Sequence, residues 1–175
     1  YQQFNLPIVQ FVFGNNVMSP IRILFVCTYL GGRSRIAEAF ANHYGKGLID
    51  AHCSGFEEGT LGQGLVKLMA EKQIEIHLDA LKTIFKRTRD KEKFDYVVTL
   101  CHAQTTEQCD VFLNCVAGMY SRKSKVIGWD IPAFNAIKAT NPEERWQSMQ
   151  EIRNAIENEV LQLIETLNTQ SNLPS

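Results

Sequence analysis

Residues 23–26, Ile-Leu-Phe-Val, are an unbroken apolar run of strand-forming types. After a short polar and glycine-containing stretch, Ile36, Ala37 and Phe40 take the spacing of one buried helix face, and Gly45 and Gly47 stop that helix. The alternation then repeats. Residues 48–53 predict a second short strand, with Ser54-Gly55 and 59–62 as loop. Leu65, Leu68 and Met69 predict a helix over 65–72. Ile74 and Ile76 flank Glu75 in a short extended piece. Asp79 is placed to cap a helix running to about Lys86, and 87–93 reads as a charged, solvated face. Residues 94–101 (FDYVVTLC) form a strong strand pattern, 102–110 a polar loop, 111–115 a short helix or strand, and 125–129 (KVIGW) the last strand. Asn141-Pro142-Glu143-Glu144 combines a capping residue, a first-turn proline and acids at the positive dipole end. Trp146, Met149, Ile152, Ile156, Val160 and Ile164 then carry one long amphipathic helix to about Leu167.

Strands alternating with helices imply an α/β fold: four parallel strands with helices on both faces, a three-layer αβα domain over 21–168 with a tail at 169–175. Residues 1–20 read as an N-terminal extension. Met18 is a natural start, which makes the segment before it an expression-derived leftover; the alternative is an extra edge strand over 8–13. No basic residue precedes Arg22, so the extension lacks the positive region of a signal peptide.

Bulk composition narrows the function classes. The 175 residues are 45% apolar with a net charge of -1, the balance of a folded soluble chain and not of a nucleic-acid-binding surface. No apolar run is long enough to span a membrane. The five cysteines, Cys27, Cys53, Cys101, Cys109 and Cys115, are odd in number and lack zinc spacing, so no metal site is expected. Reduced thiols in the cytoplasm are the expectation.

Chemistry concentrates where the first strand meets the first helix, the edge at which open α/β sheets bind ligands. Cys27-Thr28-Tyr29-Leu30-Gly31-Gly32-Arg33-Ser34 is a Cys-x5-Arg loop. Its N–H groups, with the helix N-terminus, can form a nest for a tetrahedral oxyanion, and Arg33 can clamp two of the oxyanion's oxygens. The same positive field favours the Cys27 thiolate, the reactive form, and Ser34 can hold or discharge it through its hydroxyl. On this stretch alone, a buried structural cysteine beside a surface arginine remains an equal alternative. Residues 94–101 also end in a cysteine, and the topology brings Cys101 to the edge that carries Cys27.

The stretches ILFVC, RSRIAEAF, VVTLC, GWDIPA and NPEERWQSMQEIRNAIENEV, in this order, resemble the thioredoxin-coupled arsenate reductases of the low-molecular-weight protein tyrosine phosphatase superfamily. The resemblance implies a flavodoxin-like domain and a three-cysteine relay. Cys27 attacks arsenate held by the loop and Arg33, Cys101 attacks the adduct, and Cys109 attacks Cys101. The resulting disulfide passes to thioredoxin. It also implies two alternatives: a phosphatase acting on a phosphoprotein or other phosphate ester, and a relative that binds an anion or a protein without turnover. Several residues depart from the family pattern. Tyr29, Leu30 and Gly32 stand where the family loop has glycine, asparagine and a second cysteine. Ile131 stands at the acid before the proline, with Asp130 one residue earlier as a substitute general acid. The Cys101–Cys109 spacing is a residue longer. Glu38 matches an acid that helps hold a structural potassium ion in some members; a helix-start acid is the other reading. His102 can tune Cys101 or stand in solvent, and Cys53 and Cys115 read as bystanders.

Overall fold

The computed structural model describes residues 19–29, 32–57, 62–76, 82–102 and 109–171. Strand β1 (Ile21–Tyr29) pairs in parallel with β2 (Ile49–Glu57) on one side and β3 (Tyr96–Cys101) on the other, and β4 (Lys125–Asp130) extends the sheet beyond β3. The order is β2-β1-β3-β4. The chain therefore reverses its direction of travel across the sheet between β1 and β3, and the carboxyl ends of these two strands form the switch point at which open α/β sheets bind ligands.

Strand pleat sorts the core into two layers. Ile23, Phe25 and Cys27 of β1 join Leu100, Trp129 and Ile131 in a cluster beneath α1 (Arg33–Tyr44), α2 (Gln63–Ala70) and α5 (Pro142–Ser171). Leu24, Val26, Val97 and Cys101 face the other way, towards α3 (Ile84–Arg89) and α4 (Cys109–Tyr120). Each fully buried side chain such as Phe25 or Ile23 contributes about 1.5–3 kcal/mol by leaving water. The turn from α1 into β2 needs glycine for two separate reasons. A Cβ at Gly45 would sit 2.7 Å from the Ala41 carbonyl oxygen, and Gly47 has φ +87°.

The sheet and the long last helix follow the hydrophobic pattern, and the differences lie where tertiary contacts override local signals. Ser54-Gly55 is strand, not loop, because pairing with β1 continues through Cys27↔Gly55 to Tyr29↔Glu57. The third helix starts at Ile84 behind a Thr83 cap that accepts from Lys86 N–H at 3.3 Å; Asp79 lies outside the described residues. Arg87 is no solvated residue. It is buried, donating to Ser54 Oγ at 2.8 Å, to the Cys53 carbonyl at 3.2 Å and to Glu92 Oε2 at 2.6 Å. Residues 111–115 sit inside a longer helix that begins at Cys109. The last helix runs on to Ser171 because Leu163 and Leu167 continue its buried stripe.

Candidate active site

Cys27 lies near the end of β1, and the first turn of α1 begins with Arg33 and Ser34. That turn carries no acidic residue, so its N–H groups keep their positive end undiluted. All three side chains are buried. Ser34 Oγ lies 3.0 Å from Cys27 Sγ, placed to donate to the sulfur when it carries charge. Arg33 donates from Nη1 to the Ile131 carbonyl at 2.7 Å, which fixes the guanidinium plane. Thr28 is half-buried, Tyr29 ends the strand and Gly32 is the N-cap of α1. Leu30 and Gly31 lie outside the described residues.

Cys101 ends β3 and Cys109 opens α4. The two form a disulfide with Cα atoms 5.7 Å apart, within the usual span. Cys27 and Cys101 share the carboxyl edge but belong to opposite layers of the core, Cys27 under α1 and Cys101 against α4. The main chain of Ile131 ties Cys101 to Arg33. Its N–H donates to the Cys101 carbonyl at 2.7 Å while its carbonyl accepts from Arg33.

The side chain of Ile131 is buried in the Cys27 layer. Asp130 pairs in register with Cys101, so the pleat turns it to the Cys101 side, where Oδ1 lies 2.8 Å from His102 Nδ1. One residue of offset has reversed the direction of the carboxyl group. The His102–Asp130 pair spans 28 positions in sequence, and no spacing signal announces it.

Glu38 faces Cys53 from α1. Its Oε1 accepts from Cys53 N–H at 3.0 Å, and its Oε2 accepts from Cys53 Sγ at 3.1 Å and from Arg35 Nη1 at 2.7 Å. Burial, and then the Glu38 charge, push the Cys53 thiol up from its ordinary range. A potassium ion does not fit this corner. Arg35 already supplies the positive charge against Glu38, and Cys53 turns donors towards the carboxylate where an ion would need oxygen acceptors. Among the described residues no group of three or more His, Cys, Asp or Glu side chains could hold a metal ion. Cys115 is exposed. Among the described residues no helix is long and apolar enough to cross a membrane.

Comparison with known proteins agrees with this geometry. The chain is 31% identical over 158 residues to an arsenate reductase of Shouchella clausii, covering 85% of this chain and 99% of that protein. It is 31% identical to an arsenate reductase of Halalkalibacterium halodurans, covering 82% and 95% respectively. Among solved structures, the arsenate reductase of Archaeoglobus fulgidus shares the fold, with a TM-score of 0.56 and 23% identity over 82% of this chain and 98% of that one. The family model described as low molecular weight phosphotyrosine protein phosphatase matches residues 22–173. With a cysteine–arginine loop at the switch point of a four-stranded parallel sheet and these relatives beside it, the chain belongs to the low molecular weight phosphotyrosine protein phosphatase family.

Proposed function

We propose that this chain reduces arsenate through Cys27, Cys101 and Cys109. The observation that carries the reading is the Cys101–Cys109 bridge at the same sheet edge as Cys27, with Cys101 tied to Arg33 through the main chain of one residue, Ile131. Arsenate binds at the α1 N-terminus and Arg33, and the Cys27 thiolate displaces one of its oxygens to form a sulfur–arsenic bond. The Cys101 thiolate then attacks the Cys27 sulfur. A sulfur–sulfur bond forms, the sulfur–arsenic bond breaks, and its electron pair leaves with arsenic as arsenite. Cys109 displaces Cys27 from Cys101, which leaves the Cys101–Cys109 disulfide and a free Cys27. In sum, two thiols reduce arsenate to arsenite and are oxidised to one disulfide, and a thioredoxin-type dithiol protein reopens it.

A phosphatase needs an acid to protonate a departing alcohol. Ile131 at that position is buried with no proton to give, and Asp130 faces His102. That arrangement favours the reductase, whose steps expel arsenite and thiolates.

The test is a thiol count by mass spectrometry on the fully reduced protein after incubation with arsenate and no reductant. The expected result is loss of two thiols as a Cys101–Cys109 bridge, reopened by added thioredoxin. If arsenate consumes no thiols, the reductase reading fails; hydrolysis of a phosphate ester by the same sample would then indicate the phosphatase, and no turnover of either would indicate a binder.

A further inference from the structure

The Cys101–Cys109 bridge lies beside a ladder of aromatic rings whose outer end stands in solvent. Phe85 of α3 is 53% exposed. Its ring stacks on Phe56 of β2 with centroids 5.4 Å apart, and Phe56 meets Phe112 of α4 edge to face at 5.0 Å. Phe112 is one turn from Cys109. Phe56 and Cys109, both partly buried, pack on the cluster that holds Phe112 and Cys101. Val111, in the same first turn of α4, is 62% exposed. A single apolar side chain on a surface is ordinary. Here packed rings join Phe85 to the turn that carries both Val111 and a redox-active cysteine.

We propose that Phe85 and Val111 form the surface on which the dithiol protein that reopens the Cys101–Cys109 bridge docks. The inference rests on the reductase reading for the partner's role, though not for its test. Cys101 is buried and Cys109 only partly so, which makes Cys109 the sulfur within reach. The partner's thiolate attacks Cys109 Sγ, the bond to Cys101 breaks, and Cys101 leaves as a thiolate that takes a proton from water. The partner's second thiol then displaces Cys109 from the mixed disulfide. The partner ends as a disulfide and Cys101 and Cys109 as thiols, two electrons having moved. A small dithiol reaches the bond by collision alone, whereas a protein must hold its thiol in line with it and needs a contact beside it. That contact must also part after every turnover. Two exposed side chains cover far less than the roughly 1,000 Å² of a lasting interface, so the patch suits a brief encounter and not a stable pair of copies. Apolar anchors of this kind carry most of the binding energy in a small contact.

The experiment starts from the full-length protein with the bridge formed by diamide, so arsenate plays no part. Reopening is followed by counting thiols, either with a limiting amount of a thioredoxin kept reduced by its reductase or with dithiothreitol. Phe85→Ser and Val111→Ser should each slow reopening by thioredoxin roughly five- to tenfold and leave the dithiothreitol rate at that of the parent. Leu161→Ser, at an exposed apolar residue of α5, should change neither rate. A parent bridge that dithiothreitol opens and thioredoxin does not overturns the proposal. So does thioredoxin acting on both variants at the parent's rate, and so does an equal slowing with dithiothreitol, which would place the effect in the bridge itself. Light scattering that finds the parent paired and Phe85→Ser single, with reopening unchanged, would assign the patch to a second copy and overturn it too. Arsenate-dependent thiol loss tests the reductase reading separately. A protein indifferent to arsenate whose bridge thioredoxin opens through Phe85 would sink that reading and leave the docking surface standing.

Discussion

Cys27 and Cys53 are both buried cysteines on adjacent strands, and both lie on the α1 side of the sheet. Cys53 pairs in register with Phe25, two positions further from the sheet edge than Cys27. That offset changes what each thiol meets. Cys27 reaches the first turn of α1, where Ser34 offers a hydroxyl at 3.0 Å and Arg33 a guanidinium fixed on Ile131. Cys53 reaches the next turn, where Glu38 accepts a hydrogen bond from its thiol and its charge opposes ionisation. One helix thus holds an anion-accepting end over one cysteine and a carboxylate over the other. The residue type is the same, and the helical register decides the chemistry.

The contrast can be broken most severely at Cys27 itself. Cys27→Ser should abolish arsenate-dependent thiol loss, by on the order of a thousandfold or more, while Cys53→Ala leaves the rate near that of the parent. A comparable loss in Cys53→Ala would erase the distinction. Arg33→Lys keeps the charge but loses the planar fork and its hold on the Ile131 carbonyl. The concentration of arsenate needed for half-maximal rate should rise roughly ten- to a hundredfold, from the loss of about 1.5–3 kcal/mol of charge-assisted hydrogen bonding. Glu38→Gln sharpens the other side. It weakens the Arg35 pair and the Cys53 bonds in a largely buried place, so unfolding in urea should show a loss of about 1–3 kcal/mol.

The smallest effect is a pH slope. The unfolded chain ionises Cys53 near pH ~8.5, whereas the folded chain keeps it as a thiol. Above that pH the native state therefore holds an extra proton, and stability falls as pH rises, by up to about 1.4 kcal/mol per unit. Tyr44, pushed up to about 12 by burial and by its bond to Glu157, adds a second decline that starts near pH ~10. Urea midpoints between pH ~8.5 and ~10 should fall less steeply in Cys53→Ala than in the parent. Equal slopes would mean that Cys53 ionises freely in the folded chain.

Much of the frame is readable from local pattern. Ile-Leu-Phe-Val before Cys27 and Ile36, Ala37 and Phe40 after it specify a strand and a helix whatever else the chain does. Asn141 accepts from Glu143 N–H at 2.8 Å at the start of the last helix, as its residue type suggests. What escapes a linear reading depends on pairing between distant segments. Ser54-Gly55 has the composition of a loop and becomes strand only because β1 lies beside it. Arg87 sits in a charged run, yet its partners Ser54 and Cys53 come from another strand altogether. The direction of Asp130 turns on pleat parity relative to Cys101, which needs the β3–β4 register. The Cys101–Cys109 pairing came into view only through the family resemblance, because five cysteines by themselves allow many partners.

The Ile131 peptide has a consequence for how this protein tolerates change. Both bonds, to the Arg33 guanidinium and to the Cys101 carbonyl, leave from Ile131 main-chain atoms, so they survive almost any side chain placed at position 131. Substitution at position 131 is therefore blind to this joint, whereas loss of the Arg33 guanidinium breaks one end of it. What would sever it is a change in chain length: one residue inserted between β4 and Pro132 would shift the amide and the carbonyl out of reach together. An ester in place of the residue 131 amide would remove the Cys101 bond alone. At residue 131 the joint between Arg33 and Cys101 is written in the path of the backbone, and there insertions and deletions, rather than substitutions, are the mutations to which it answers.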